Sequence, residues 1–324
     1  MKVPTLFRAL PAVLTSALCL SAAMAEADTR RVAIANFGEH PKLNEVVENA
    51  QAAITAAGLD VEFTVNHVNF DATLLPQMFA TIEATDPDLI IGITTPVAQT
   101  MLNTFGESGK PMIFGAVTDP VGAELVPSWD QAGAHITGVS DMLDIAATLT
   151  FIQELFPDTK TVGVPYNPAE ANDIAVVKIL EEDTEKAGLS LASVGVDNPN
   201  DIIARISTLS AKADVIYGPG SNLIQSSFAA VASAANQTNT PVVNMDEGPV
   251  IDGLIPAGFT VNTKRIGTMV GEMAVEVLNG TDVSTIAPRK PTYEDHWKVI
   301  SRSGMANIGR EIPASFETCN CIVD

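Results

Sequence analysis

Cysteine, histidine, tyrosine, tryptophan and positive charge are all scarce in this chain, and each scarcity closes off a class of function. Its 324 residues include 3 Cys and 4 His. Cys19 falls in a stretch that reads as a leader, which leaves only Cys319 and Cys321, in a Cys-Asn-Cys near the C-terminal end. Two thiols at this spacing supply too few ligands for a zinc site. A bridge between them is expected to be strained, so the pair reads as an incidental tail. His40, His67, His135 and His296 are scattered without metal-ligand spacing. There is no G-x-x-x-x-G-K, no H-E-x-x-H and no G-x-G-x-x-G, and Gly138-Val139-Ser140-Asp141-Met142 lacks the closing glycine of a nucleophile elbow. The sequence therefore assigns no metal, no cofactor and no catalytic residue. Lys and Arg number 18 against 39 Asp and Glu, a formal charge of −21. Nucleic-acid binding needs a basic surface, so that partner class is excluded. An acidic surface favours solubility, and a monomer is expected.

Long apolar runs are missing too. Ala9 to Leu20 is about a dozen residues, short of the ~20 that cross a bilayer. It follows Lys2 and Arg8 and precedes Ala23-Met24-Ala25, the layout of a secretory signal peptide over residues 1–25 with cleavage after Ala25. Leu18 is bulky where lipid attachment at Cys19 wants a small residue. Export to the periplasm as a soluble protein is expected. Loss of Lys2 and Arg8 would leave 16 basic against 39 acidic residues, a formal charge of −23.

What is present is a duplication. Val32, Ala57, Gly58, Leu59 and Pro111 recur 130 positions later as Val162, Ala187, Gly188, Leu189 and Pro241. Each set opens an apolar run, closes a helix-like stretch at Ala-Gly-Leu and starts another apolar run at proline. The remaining 299 residues exceed one compact core. Two similar lobes with a cleft between them are expected. Strand and helix patterns alternate along both. In Pro41 to Ala57, Leu43, Val46, Val47, Ala50 and Ile54 fall on one helical face, and Gly58 follows as a stop. Leu89-Ile-Ile-Gly-Ile is continuous and apolar, as a strand buried on both faces should be. Asn222 to Asn236 reads as a single helix. The predicted class is α/β: two lobes, each a parallel sheet with helices on both faces, joined by a multi-crossover hinge. Lobe 1 is expected at 29–140 plus about 257–285, and lobe 2 at 141–256 plus about 286–324. In this division Ala257 to Thr263 re-enters the first lobe and the helix from Lys264 packs there.

In open parallel sheets ligands bind beyond the carboxyl ends of the strands. The loops at those ends carry Phe37, Glu39 and His40; Thr94 and Thr95; Thr118 and Asp119; Tyr166, Asn167, Glu170 and Asn172; Ser221 and Asn222; and Asp246. All but His40, a weaker candidate, are taken as ligand-binding residues. Thr94, Thr95 and helix-start N–H groups suit a carboxylate. Asp119, Glu170 or Asp246 suits an ammonium. Each also has a plain structural reading: Thr95 and Ser221 as helix caps, and Asp119-Pro120 and Asn167-Pro168 as turns.

Several of these loops also resemble a known family. Glu39-His40-Pro41, Thr95-Pro96-Val97-Ala98-Gln99, Val117-Thr118-Asp119-Pro120-Val121-Gly122, Thr137-Gly138-Val139-Ser140-Asp141 and Tyr166-Asn167-Pro168-Ala169-Glu170-Ala171-Asn172 are similar to segments of the ABC-transporter substrate-binding proteins whose better-known members bind tryptophan, tyrosine or phenylalanine. The resemblance implies a type 1 periplasmic-binding-protein fold with three crossovers and the ligand in the interlobe cleft. Two positions depart from the family pattern. Ser221-Asn222 stands where Asp-Asn is usual, and no tyrosine lies near Val261-Asn262. With 3 Tyr and 2 Trp an aromatic cage is poorly supplied, so an aliphatic or less basic small molecule stands beside an aromatic amino acid. The expected function is a receptor that closes over a small zwitterion and delivers it to the membrane permease of an ABC importer. Docking on a sensor kinase is the alternative. A lyase or isomerase using Asp119 and Glu170 as acid and base ranks behind both, because no nucleophile or cofactor loop accompanies them.

Overall fold

The structure is a computed structural model and describes residues 1–2 and 29–324. Apart from its first two residues, the export signal lies outside the described residues, as does its cleavage site. The interior strands are short apolar runs buried on both faces. β1 (Arg30–Asn36), β3 (Leu89–Ile93) and β4 (Met112–Gly115) are of this kind, while β2 (Val61–His67), which alternates, and β5 (Ile136–Gly138), which is buried, stand at the two edges. They form a parallel five-stranded sheet in the order β2-β1-β3-β4-β5. The second sheet comprises β6 (Thr161–Tyr166), β7 (Ser190–Gly195), β8 (Val215–Gly218), β9 (Val242–Asn244), β10 (Ala257–Val261), β11 (His296–Ser301) and β12 (Ile322–Val323). Its order is β12-β11-β10-β9-β8-β6-β7, and β10–β11 is the antiparallel pair in it.

Helices cover these sheets. α1 (Pro41–Ala56), α2 (Leu75–Ala84) and α3 (Thr95–Phe105) serve the first sheet. α4 (Ile145–Leu155), α5 (Ala171–Lys186), α6 (Ile202–Ser210), α7 (Asn222–Ser226), α8 (Phe228–Asn236) and α9 (Gly248–Ile251) precede β10, and α10 (Thr263–Leu278) and α11 (Arg302–Asn307) follow it. The helix expected over Asn222 to Asn236 is broken at Ser227, whose φ of −123° and ψ of 23° separate α7 from α8. Among the described residues no helix is long and apolar enough to cross a membrane.

The duplication is structural. α1 and α5 span equal lengths 130 residues apart. Gly58 and Gly188 end them at φ 75° and 71°, a left-handed turn that a side chain resists. Pro111 and Pro241 directly precede β4 and β9. Apolar packing follows three clusters. Phe79, Ile90, Met101 and Phe105 pack on one face of the first sheet, and Ile206, Ile216, Phe228 and Val231 on one face of the second. The third cluster runs from Val46 and Ile91 through Leu149 and Phe151 to Phe259, so it joins the two lobes.

The chain passes between the sheets three times: after β5, after β10 and before β11. Two segments lie in the other lobe from the one expected. Ala257–Val261 is fully buried and needs a strand on each side; it finds β9 and β11 and so belongs to the second sheet. The helix after it, α10, does return to the first lobe and packs along α1. Ile286 and Arg289 run beside β5 instead of joining the second lobe, through Arg289 N–H to Gly138 O and Ser140 N–H to Arg289 O. The C-terminal tail is not incidental. Ile300 N–H donates to Cys321 O, β12 extends the second sheet, and a turn at Phe316–Cys319 brings the cysteines together in a disulfide.

Candidate ligand-binding site

The tips of the two sheets face each other across a cavity. The volume open to the centre of a water molecule is about 70 Å³, and the whole space between its walls, mouth included, is about 650 Å³. The first lobe contributes His40, Lys42, Leu43 and Val46 from the start of α1, Phe70 after β2, Thr94 and Thr95 after β3, and Ala116, Thr118 and Asp141 after β4 and β5. The second contributes Asn172, Gly220, Ser221, Asn222, Gln225, Met245 and Asp246. Val261 and Thr263 close it at the second passage between the lobes.

One corner is prepared for an anion. α3 starts at Thr95, and its unpaired N–H groups and dipole favour negative charge. Thr94 before it holds φ 84° and ψ 159°, a conformation that L-residues avoid. Its backbone N–H is tied to Gly115 O, and its buried hydroxyl has no partner. Strain and an orphaned hydroxyl coincide where a ligand group would supply the missing hydrogen bond.

A second corner is prepared for a cation. Asp141 accepts from the Thr118 hydroxyl at 3.1 Å. Burial pushes its carboxyl above the ordinary range, opposed by that hydroxyl, its own backbone and Lys42. Tyr217 is fully buried nearby; burial, then Asp141, pushes its phenol up, so it stays neutral. Asp246 accepts from Gly248 N–H at 2.8 Å and faces His40 Nε2 at 3.6 Å. Burial holds His40 below its usual value and Lys42 adds to this, against the pull of Asp246. Its imidazole therefore meets Asp246 uncharged at neutral pH. Leu43, Val46, Phe70, Ala116, Met245 and Val261 supply an apolar wall.

Interlobe polar contacts border the cavity. Lys42 Nζ, on α1, donates to Glu247 Oε2 at 2.8 Å and to Thr260 Oγ1 at 2.7 Å. Within the first lobe, the Thr263 hydroxyl at the start of α10 donates to Glu45 on α1.

Of the residues expected to bind ligand, Thr94, Thr95, Thr118, Asn172, Ser221, Asn222 and Asp246 line this cavity. Six others do not, each for a local reason. Phe37 is buried in the first lobe's core, edge-on to Phe70 at 5.5 Å, and it is Phe70 that reaches the cavity. Glu39 is exposed and engages His67 and Asn44. Asp119 closes its own turn by accepting from Val121 and Gly122 N–H. Tyr166 ends β6 and Asn167 caps the following turn at Ala169. Glu170 lies behind the wall and accepts from Asn167, Asn222 and Leu223. Beside it, burial and the Glu170 charge push Asp173 up to about 8, against hydrogen bonds from Asn167 N–H and the Ser221 hydroxyl.

Asp141 was missed as a site residue, although it closes one of the family-like segments, because its three-residue strand carries too little pattern to be read as one. Lys42, Leu43, Val46 and Gln225 were missed because they lie inside helices, and Phe70, Ala116, Met245 and Val261 because mainly polar residues were sought at the strand tips. His40, the weaker candidate, does reach the cavity.

Two parallel-sheet lobes closing a polar-cornered, apolar-walled cavity between their strand tips define a solute-binding clamp of the type 1 periplasmic-binding-protein kind. The chain belongs to the ABC transporter substrate binding protein family, whose model matches residues 31–307. It is 31% identical over 261 residues to a tyrosine-binding protein of Clostridioides difficile (strain R20291), covering 79% of this chain and 75% of that one. It superposes with a TM-score of 0.85 on a Streptococcus pneumoniae ABC domain in complex with L-Trp, at 27% identity over 91% of this chain and 100% of that one. Against the ligand-free, open structure of a Clostridium difficile substrate-binding protein with adhesive properties, the TM-score is 0.69 at 28% identity, over 91% and 98%. At matching identity and coverage the backbone follows the ligand-bound relative more closely than the open one. These relatives are solute-binding proteins.

Proposed function

We propose that this protein is the extracytoplasmic receptor of an ABC importer for an amino acid with an apolar side chain, aromatic ones foremost. One observation carries the reading: a single cavity combines an anion-ready helix start at Thr94–Thr95, a half-buried carboxylate at Asp141 and an apolar wall. A ligand carboxylate fits the first, its ammonium the second, and a hydrocarbon or ring the third. The names of the relatives support the aromatic class. The apolar wall supports it too, and Phe70 is an aromatic that can stack there. A ligand that touches both lobes binds the closed form better and shifts the population towards it. The closed shape is what a permease would recognise, and the export signal over residues 1–25 would place the receptor in the periplasm, acting as a monomer. The test is calorimetric titration with the twenty amino acids and small sugars, preceded by native mass spectrometry to detect cargo retained through purification. Micromolar or tighter binding of aromatic amino acids is expected. Binding of a sugar with no response to any amino acid overturns the reading.

A further inference from the structure

We propose that Asn172 selects ligands carrying an amino group over their deaminated counterparts, and that Glu170 and Asp173 are positioning residues that fix which end of its amide faces the cavity. The inference rests on the amino-acid reading above. Asn172 Nδ2 donates to Asp173 Oδ1 at 2.8 Å, Gly220 O at 3.2 Å and Glu170 Oε2 at 3.3 Å. Turning the amide over would set its oxygen against Gly220 O and Glu170 Oε2, which only accept. Its Oδ1 is therefore the outward atom. The residue is 3% exposed and lines the cavity, and this oxygen is buried with no hydrogen-bond partner.

An amide oxygen only accepts, so a donor must come from the ligand or the atom stays desolvated and unpaired. An ammonium supplies that donor. The same corner holds Asp141, because Gly220, whose carbonyl ties down Asn172, also lines the small void under Asp141. One ammonium with three N–H bonds can serve both oxygens.

Glu170 cannot hold the ligand itself. Asn167 Nδ2, Asn172 Nδ2, the Asn222 N–H and Nδ2, and the Leu223 N–H all donate to it, at 2.6 to 3.3 Å. Both of its oxygens are taken. Through these bonds it joins the start of α5 to the start of α7, so Asn172 is held by two strand tips at once.

The test compares the tightest binder among L-phenylalanine, L-tyrosine and L-tryptophan with its deaminated acid, on wild type, Asn172→Ala and Glu170→Gln. The readout is the ratio of the two dissociation constants. A merely structural loss lowers both affinities and leaves the ratio alone. The expected result is about a tenfold or greater fall in that ratio for N172A, the scale of one hydrogen bond to a charged group, with the deaminated acid little changed. E170Q should shift it in the same direction but less, because a Gln amide cannot satisfy all five donors. On wild type, the NMR shift of the Asn172 side-chain carbonyl carbon should move with the amino acid and not with the deaminated acid, a readout that survives if N172A fails to fold. An unchanged ratio in folded N172A, or a carbonyl that responds equally to both ligands, overturns the inference and leaves the receptor reading standing. Absence of binding by every amino acid overturns both.

Discussion

Replacing Asp141 by Asn removes the charge from the cation corner while keeping its size. The carboxylate hydrogen-bonds Thr118 at 3.1 Å and lines the cavity, so a ligand ammonium would meet it away from bulk water. A hydrogen bond to a charged group is worth ~1.5–3 kcal/mol, which is roughly a 10- to 150-fold loss of affinity for D141N. A second signature follows from protonation. Burial raises the Asp141 carboxyl in the free protein, and a bound ammonium would draw it back down. Between the free and bound values the free protein carries a proton that the complex does not, so binding expels it. Affinity should rise with pH across that window, by up to about tenfold per unit for one proton, and level off above the free value. The window closes at a higher pH than an exposed aspartate would show. Calorimetry in buffers of different ionisation enthalpy counts the released proton directly. D141N should lose the slope and the proton together. Wild-type affinity in a folded D141N, or an unchanged pH profile, would refute the assignment of the ammonium to this corner.

Three further outcomes are expected. Thr94→Gly should relieve backbone strain of ~1–3 kcal/mol, partly offset by ~0.5–1 kcal/mol of glycine entropy; denaturant unfolding should show equal or higher stability while ligand affinity falls, and loss of both together would remove Thr94 from the site. Lys42→Met breaks the contacts to Glu247 and Thr260, worth ~1.5 kcal/mol or more; about tenfold weaker binding and a larger radius of gyration by small-angle scattering are expected, and an unchanged radius would deny Lys42 a role in closure. Gly267→Ala would set a Cβ 2.5 Å from Val46 O where α10 crosses α1; overpacking of ~1–3 kcal/mol should lower the melting temperature, and an unaltered melting curve would mean that the helices separate freely.

Much of the fold was legible because the signals were local. Val32 to Ala35 and Leu89 to Ile93 are apolar without interruption, and Gly58 and Gly188 mark helix ends by a conformation that only the chain nearby dictates. Sheet membership was less legible. Ala257–Val261 looks like any buried strand, and the neighbours that claim it, β9 and β11, are fixed by tertiary pairing. The tail was misread for the same reason, since Ile322–Val323 is a strand only once β11 lies beside it. At the site, strand tips pointed to the right neighbourhood but not to the direction of each side chain. Asp119 and Glu170 carry the right chemistry and turn it back onto backbone N–H groups. Asp141 carries the same chemistry and turns it to the cavity. That difference is decided by which hydrogen bonds are available within each loop, and composition does not encode it.

Val261 and Thr263 flank Asn262 at the second passage between the sheets, and both line the cavity. A cargo molecule seated there leans on the fulcrum as well as on the jaws. Any swing of one half about that passage must drag part of the container's wall along with it. Selectivity and opening speed are then governed by the same few atoms, and a substitution there that retunes one will retune the other.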